Sequence, residues 1–336
     1  MNKMSKITVV IPSRGREKYL NRTVQYWLGV GVHVVVFEDT ASPSTSLRKL
    51  SEKNSKLNYH WSEGVSVAER LMIAMKSVNT DFCIWSSDDE FVLPSALVLS
   101  VDALGKEDWI GCSGRSLWFW RQGNHVAISP IYSPTILKSN SDQKRIDELL
   151  DDYKEPLLWN FFRTEVLVRA SRVMVANQVA LGGATELVHA TAIAIQGKVG
   201  SIDTVMRLRS GENVNQWTPG SQKFPSFASW WVGYPLQREE VLQGLTSFAL
   251  ERDPSSGVSQ FSLARSFNLY MSKHLTLEIA RTASKPVISR LRTLLIRLFA
   301  PTLIRIRSQR HEKSLSGQTI AEVQTVRSIV RDFHLR

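Results

Sequence analysis

The sequence predicts an α/β protein: a Rossmann-like, mostly parallel sheet with helices on both faces, followed by a mainly helical C-terminal region. Three observations carry this. Short apolar runs alternate with segments of helical period about three times in the first 90 residues. Three of those runs end in charged residues, at Arg14/Arg16, Glu38/Asp39 and Asp88/Asp89/Glu90; open sheets of this kind bind ligands beyond the carboxyl ends of their strands. From about residue 216 the alternation gives way to helical segments with aromatic patches such as Phe227 and Trp230/Trp231. The expected organisation is therefore a sheet-bearing unit over 1–215 and a helical region over 216–336.

Ile7 to Ile11 reads as a short buried strand, closed by the loop Pro12-Ser13-Arg14-Gly15-Arg16. Residues 17–28 place Tyr19/Leu20, Val24 and Trp27/Leu28 on one helical face. His33 to Phe37 is a second strand, followed by a polar loop over 42–46, a short helix and a strand over Leu57 to His60. A helix is expected from about Ser66 to Val78, with Val67, Leu71, Ala74/Met75 and Val78 together, and Phe82 to Trp85 is the next strand. Pro94 opens a helix to about Leu104. A strand near Trp109 to Cys112 and a hairpin of Leu117–Trp120 with Val126–Ile131 come next. Ser139 to Glu155 reads as mostly helical, and Leu157–Arg172 and Thr185–Ile195 as further helices or strand-helix pieces.

The stretch Ser86-Ser87-Asp88-Asp89-Glu90-Phe91 is chemically the most demanding. Three consecutive carboxylates at the end of a buried strand need partners, because desolvating an unpaired charge costs several kcal/mol. A divalent cation, Mg2+ or Mn2+, carrying a substrate diphosphate is one such partner, since Mg2+ is held by one or two carboxylates plus phosphate oxygens. A solvated turn leading into the Pro94 helix is the other reading. Taken with the other strand ends, the pattern supplies cations for phosphate, a carboxylate for a base or ribose, and carboxylates for metal, which together suit a nucleotide diphosphate.

Apolar content of 43% against 22% charged residues fits a packed core and excludes disorder. A net charge of +11 calls for an acidic partner. Nucleic acid is not expected to be that partner, because the cations concentrate in the C-terminal third among large apolar residues and no helix-turn-helix or stacking motif is present. The two cysteines, Cys83 and Cys112, lie in expected strands and read as buried reduced thiols. The N-terminal apolar run is too short for a secretory signal, and no run reaches the roughly 18 apolar residues of a spanning helix. The expected location is the cytoplasm, peripheral on the inner face of the cell membrane. The surface contact would come from residues 281–310, where eight Lys and Arg, from Arg281 to Arg310, interleave with Leu, Ile and Phe and no acid. Such a segment suits an anionic membrane interface, with Pro301 kinking or dividing it.

The segments ITVVIPSRGR, HVVVFEDT, SEGVSVAERLMIAMKSVNTDFCIWSSDDEFVLPSAL and ATELVHATAIAIQGKVGSIDTVMRLRS, spread over roughly residues 7–210, occur in an order that resembles GT-A fold glycosyltransferases, close to glycosyltransferase family 2 of the bacterial surface-polysaccharide type. The resemblance implies that Pro12, Ser13 and Arg14 cradle the nucleotide and that Glu38 or Asp39 meets the base. It sets Asp88, Asp89 and Glu90 in the metal-binding Asp-x-Asp region, with Glu where the family has its second Asp. It makes Glu186 the catalytic carboxylate, although Thr185-Glu186-Leu187 replaces the family's frequent Glu-Asp, and it makes Arg209 part of a basic segment near the diphosphate. The implied reaction is transfer of a sugar from a nucleotide-sugar donor to a growing glycan, lipid-linked in this setting, with inversion and metal-assisted diphosphate departure.

Each of these residues has a plainer alternative. Glu186 is also a carboxylate favoured at a helix start, and Arg209 has Glu212 nearby as an ion-pair partner. His189, one helical turn after Glu186, is a possible metal or substrate contact or a structural histidine. Trp159, Trp217, Trp230 and Trp231 offer stacking surfaces for sugar rings or ordinary core packing. Other functions fit less well. A sugar-phosphate nucleotidyltransferase would carry a glycine-rich N-terminal loop, where this chain has one glycine. A non-catalytic nucleotide-sugar binder would share every binding feature.

Overall fold

The protein is described from a computed structural model over residues 2–122, 125–151, 157–176, 182–212, 227–283 and 315–333, with Tyr153 and Ser308. Strand β1 (Ile7–Ser13) is followed by α1 (Glu17–Val30), β2 (His33–Glu38), α2 (Thr45–Lys53), β3 (Leu57–Trp61), α3 (Val67–Met75) and β4 (Phe82–Trp85). β1 pairs in parallel with β2, from Thr8 opposite His33 to Ser13 opposite Glu38, and on its other edge with β4, from Ile7 opposite Phe82 to Val10 opposite Trp85. β3 extends the parallel set beyond β2. The chain therefore moves outward from β1 in one direction through β2 and β3, then returns to the other side for β4. That reversal opens a crevice at the carboxyl end of β1.

The local chemistry explains the elements. Val9 and Ile11 point to one face of the sheet and Val10 to the other, and each joins a different core. The first core packs Leu20, Val24 and Trp27 of α1 beneath the sheet; the second packs Leu71 and Met75 of α3 against Trp85 above it. Gly31 ends α1 in the left-handed conformation at φ 89°, its N–H returning to Trp27 and Leu28. Ser66 and Glu69 cap α3 reciprocally.

Beyond β4 lie β5 (Phe91–Val92), α4 (Pro94–Lys106), β6 (Trp109–Gln122), β7 (His125–Tyr132), α5 (Asp142–Asp151), β8 (Phe161–Arg163), α6 (Thr164–Ala176), α7 (Gly182–Gln196) and β9 (Lys198–Ser210). The nine strands form one sheet ordered β3-β2-β1-β4-β8-β6-β9-β5, with β7 paired to β6. β8 is antiparallel to both β4 and β6, so the sheet is mixed on that side.

Two expectations are refined here. Trp109–Cys112 and Leu117–Trp120 are parts of the single strand β6, because the small residues between them, Ser113 and Ser116, are buried and absorbed in register shifts against β9. The expected hairpin with 126–131 is present as β6 and β7. Leu157–Arg172, expected as a helix or a strand-helix piece, is the latter: Phe161 and Phe162 form β8, where the two aromatic residues fill the gap between β4 and β6, and α6 follows. Cys83 and Cys112 are buried and free, as expected.

The C-terminal region contributes α8 (Phe227–Gly233), α9 (Pro235–Arg252), α10 (Gln260–Ala283) and α11 (Gly317–Phe333). Trp230 and Trp231 are core residues: their ring N–H groups donate to Gln237 Oε1 at 3.0 Å and Asn268 Oδ1 at 2.8 Å. α11 returns to the sheet-bearing unit, where Glu322 accepts from the backbone N–H and the hydroxyl of Ser95 at the start of α4. Trp217 and nearly all of 281–310 lie outside the described residues. Among the described residues no helix is long and apolar enough to cross a membrane.

Helix α7 is anchored at its C-terminal end. Arg145 of α5 donates to the carbonyls of Ala194 at 2.7 Å and Ile195 at 2.8 Å, and Arg252 of α9 donates to Ile195 at 2.8 Å. The Arg145 side chain is buried, and charged hydrogen bonds of this kind contribute about 1.5–3 kcal/mol each. Arg145→Met is expected to lower the free energy of unfolding by about 2–4 kcal/mol in a urea titration, well beyond the usual effect of a surface substitution.

Candidate functional site

The crevice is built around the turn that follows β4. Gly15, at φ 65° with open space around it, lets the chain leave β1 and turn back. This returns Arg16 onto the acidic run. Arg16 Nε donates to Asp88 Oδ2 at 3.1 Å and Nη1 to Asp89 Oδ2 at 3.2 Å, while Nη2 pairs with Asp88 Oδ1. Ser13 Oγ donates to Asp88 Oδ2 at 2.6 Å. α1 holds the same turn from below: Thr23 Oγ1 donates to the Asp88 carbonyl at 2.7 Å and Arg22 to the Asp89 carbonyl at 3.4 Å. Both carboxylates are almost wholly removed from solvent. Burial pushes the Asp88 carboxyl up to about 6, against the downward pull of Arg16 and Ser13.

Glu90 faces elsewhere. It immediately precedes β5, and β5 pairs antiparallel with β9 at Phe91–Leu208 and Val92–Arg207. Its side chain is thereby delivered to the arginines of β9: Arg209 Nε donates to Oε1 at 3.1 Å, and Arg207 lies 4.0 Å from Oε2. Burial raises the Glu90 carboxyl, with both arginines opposing. Arg209 therefore pairs with Glu90, while Glu212 pairs with Arg22 of α1 at 2.9 Å in a buried contact.

On the other side of β1, Glu38 and Asp39 have separate roles. The Glu38 carboxylate accepts from the Tyr59 hydroxyl at 2.6 Å and the Ser44 N–H at 3.3 Å, which shapes the loop after β2. Asp39 accepts from the Gly64 N–H at 2.8 Å and lies 3.4 Å from Arg14, whose guanidinium is 76% exposed. Pro12 is a register residue of β1 opposite Phe37. Arg70 of α3 donates to the Ser13 carbonyl at 2.6 Å and locks the strand end in place.

Glu186 sits in the second turn of α7, half-buried. Burial pushes its carboxyl up to about 7; Arg209, the Tyr153 hydroxyl and Arg207 pull it down, and Glu90 adds to the rise. Glu186 is thus within electrostatic reach of the β9 arginines and of Glu90. His189 is not part of the site. It is fully buried against Trp85, ring centroids 4.5 Å apart, neither ring nitrogen makes a hydrogen bond, and burial pushes its pKa down to about 3. Trp159 lies half-buried in a short turn over Leu157–Trp159.

The acidic turn offers only oxygen donors, which suits a hard divalent cation. Asp88 and Asp89 are adjacent and share Arg16, whereas Glu90 pairs with Arg209 of β9. Among the described residues no three His, Cys, Asp or Glu side chains converge as a metal site. A two-carboxylate site with phosphate oxygens needs no third. Of the two loop cations, Arg14 pairs with Asp39 and Arg16 is the residue on the acidic pair; Gly15 between them makes the reversal possible. Arg22 and Tyr153 are not legible in the sequence, because their roles depend on contacts across 33 or more positions.

No protein-family signature matches the sequence, and no curated protein matches it. Solved structures do match. Residues 1–349 of TarS from S. aureus align with TM-score 0.51 at 11% identity, over 97% of this chain and 91% of that one. The same piece of TarS in complex with UDP gives a TM-score of 0.49 at 13% identity over the same shares. Against a longer TarS structure the TM-score is 0.45 at 12% identity, over 80% of this chain and 43% of that one, so the chain spans less than half of its length. The expected GT-A fold is therefore the observed one.

The two arginines of the β1 loop should separate in a stability measurement. Arg16→Ala leaves two buried carboxylates without their shared partner and is expected to cost about 2–3 kcal/mol. Arg14→Ala removes an exposed partner and is expected to cost less than ~1 kcal/mol. Thermal or urea unfolding of the two variants side by side checks this; equal effects would move the anchoring role away from Arg16.

Proposed function

We propose that the chain is a glycosyltransferase that moves a sugar from a nucleotide-sugar donor to a hydroxyl of a glycan acceptor, with inversion at the anomeric carbon. One observation carries the reading. A half-buried carboxylate, Glu186, with its proton affinity raised to about 7, lies within electrostatic reach of the β9 arginines, and Arg209 holds the end of the same acidic turn whose Asp88 and Asp89 engage Arg16. This supports a reading in which a base and a diphosphate-binding group share one crevice of the GT-A fold.

In this reading the nucleotide lies along the carboxyl ends of β1 and β2, with Asp39 and Ser13 nearest to it. Arg16 and Arg209 face the diphosphate. Asp88 and Asp89 would hold a divalent cation, and the chemistry such a cation supplies is neutralisation of leaving-group charge. Glu186 takes the proton of the acceptor hydroxyl as the new bond to the anomeric carbon forms and the bond to the diphosphate oxygen breaks. Direct displacement of this kind inverts the anomeric centre. A positioned general base contributes about 10²–10⁴-fold, and holding the two substrates in line contributes more. The acceptor we propose is a lipid-linked glycan of surface-polysaccharide type. Its carrier would be met at an anionic membrane face by the basic residues of 281–310.

Thermal unfolding with UDP, GDP, CMP and dTDP, each with and without Mn2+, tests the donor site. A ligand at about 100 times its dissociation constant stabilises by roughly 2.7 kcal/mol, a shift of a few degrees. One nucleotide is expected to give that shift, with its Mn2+-dependent part lost in Asp88→Asn. No shift with any nucleotide would sink the donor reading.

Glu186→Gln is expected to keep the nucleotide-induced shift while lowering kcat by about 10²–10⁴-fold. In the wild-type enzyme kcat/KM should rise with pH through about 7, because the base acts deprotonated and burial holds its proton on up to that point. A Glu186→Gln variant with full activity would remove Glu186 from the chemistry.

A further inference from the structure

We infer that Tyr153 is a positioning residue for Glu186, and that helix α10 of the C-terminal region holds Tyr153 in place. The inference rests on reading Glu186 as the base. The Tyr153 hydroxyl lies 3.5 Å from Glu186 Oε1 and is oriented to donate to it. Tyr270 of α10 meets the Tyr153 ring edge-on, centroids 6.3 Å apart at 77°. Such contacts fix a ring as well as add apolar burial.

The rest of the α10 seam places the segment that carries Tyr153. Ser266, Tyr270 and Lys273 recur at helical spacing and form one face of α10. Ser266 Oγ donates to Asp147 Oδ1 at 2.5 Å and accepts from Gln143 Nε2 at 3.0 Å, both residues of α5. Lys273 pairs with the carboxylate of Asp151 at the end of α5 and donates to its carbonyl at 3.3 Å. Tyr153 follows two residues later. The chain is pinned immediately before the tyrosine by Lys273 and at the tyrosine by Tyr270, so the C-terminal region forms a wall of the catalytic site.

The consequence for Glu186 has a definite sign. Among the described residues, the charged and titratable groups around it are Arg207 and Arg209 of β9, Glu90 before β5, Tyr153, and Tyr270 of α10. His189 on its own helix is neutral in the core. A donor aimed at an ionised carboxylate favours the ionised form. Tyr153 therefore lowers the proton affinity of the base against the effect of burial, fixes one carboxylate oxygen, and leaves the other for the acceptor hydroxyl.

The test is the pH profile of kcat/KM for wild type, Tyr153→Phe, Tyr270→Ala and Tyr270→Phe, with Glu186→Gln as the control for the base itself. Tyr153→Phe keeps the ring and loses the donor; its acid limb is expected to move to higher pH by about half a unit to one unit. Near pH 6.5 its kcat/KM should fall roughly 3–10-fold, with the nucleotide-induced thermal shift unchanged. Tyr270→Ala should move the limb the same way, and Tyr270→Phe, which keeps the ring, should move it less than Tyr270→Ala. Reading both tyrosines means that the outcome does not hang on one variant folding. An acid limb that stays in place in a folded Tyr153→Phe, while Glu186→Gln is inactive, overturns the inference. Full activity in Glu186→Gln overturns the base assignment instead.

Discussion

The contact on which the site depends is the grip of Arg16 and Ser13 on Asp88 and Asp89. Burying two adjacent carboxylates is unfavourable in isolation, and only a matched guanidinium with further hydrogen bonds makes it tolerable. The sheet order creates the place for that match: β1 lies between β2 and β4, so the loop leaving β1 and the turn leaving β4 emerge side by side. Gly15 then reverses the loop onto the turn. Thr23 and Arg22 of α1 take the backbone carbonyls of the same two aspartates, which ties the acidic turn to the first helix as well as the first strand. Strand order, one left-handed glycine and one guanidinium together place the carboxylates.

The fold was largely legible because its signal is local. Val9, Val10 and Ile11, or Val34, Val35 and Val36, are buried on both faces of a central parallel sheet, and such strands read as unbroken apolar runs. Capping at Ser66 and the proline at the start of α4 marked two helix ends directly. What was not legible depends on partners far along the chain. β8 is only three residues long, and its identity as a strand comes from β4 and β6 on either side. β6 looked like two pieces because Ser113 and Ser116 interrupt its apolar pattern; in the sheet both are buried, and Ser113 Oγ donates to the Thr135 carbonyl at 2.7 Å.

The site divides along the same line. That charge would gather at the ends of β1, β2 and β4 followed from the sequence, because strand ends can be read and the α/β rule says where they lie. Which charge meets which did not. Arg14 and Arg16 are equivalent on paper, yet one is 76% exposed and the other sits between two buried aspartates. Arg209 had Glu212 three positions away and instead pairs with Glu90, since β5 docks on β9 and brings Glu90 with it. His189 shares a helix with Glu186 one turn on, but that turn faces Trp85 and the core. Spacing along a helix says which residues are neighbours; it does not say which neighbour looks into a crevice.

The electrostatics of the crevice bear on what it can receive. Its buried acids are matched closely by guanidinium groups: Arg16 with Asp88 and Asp89, Arg209 with Glu90, Arg22 with Glu212, Arg14 with Asp39. Among the described residues, the guanidinium groups that a diphosphate would meet, Arg16 and Arg209, are already engaged with carboxylates. The proposed donor therefore needs positive charge from outside the balance, and a divalent cation is the compact way to bring it. The same balance bears on Glu186. The β9 arginines that would ease its ionisation are already engaged with Glu90, so burial prevails and its proton affinity stays near neutrality. A carboxylate held near neutrality suits the proposed task of accepting a proton in one step and releasing it to water in the next.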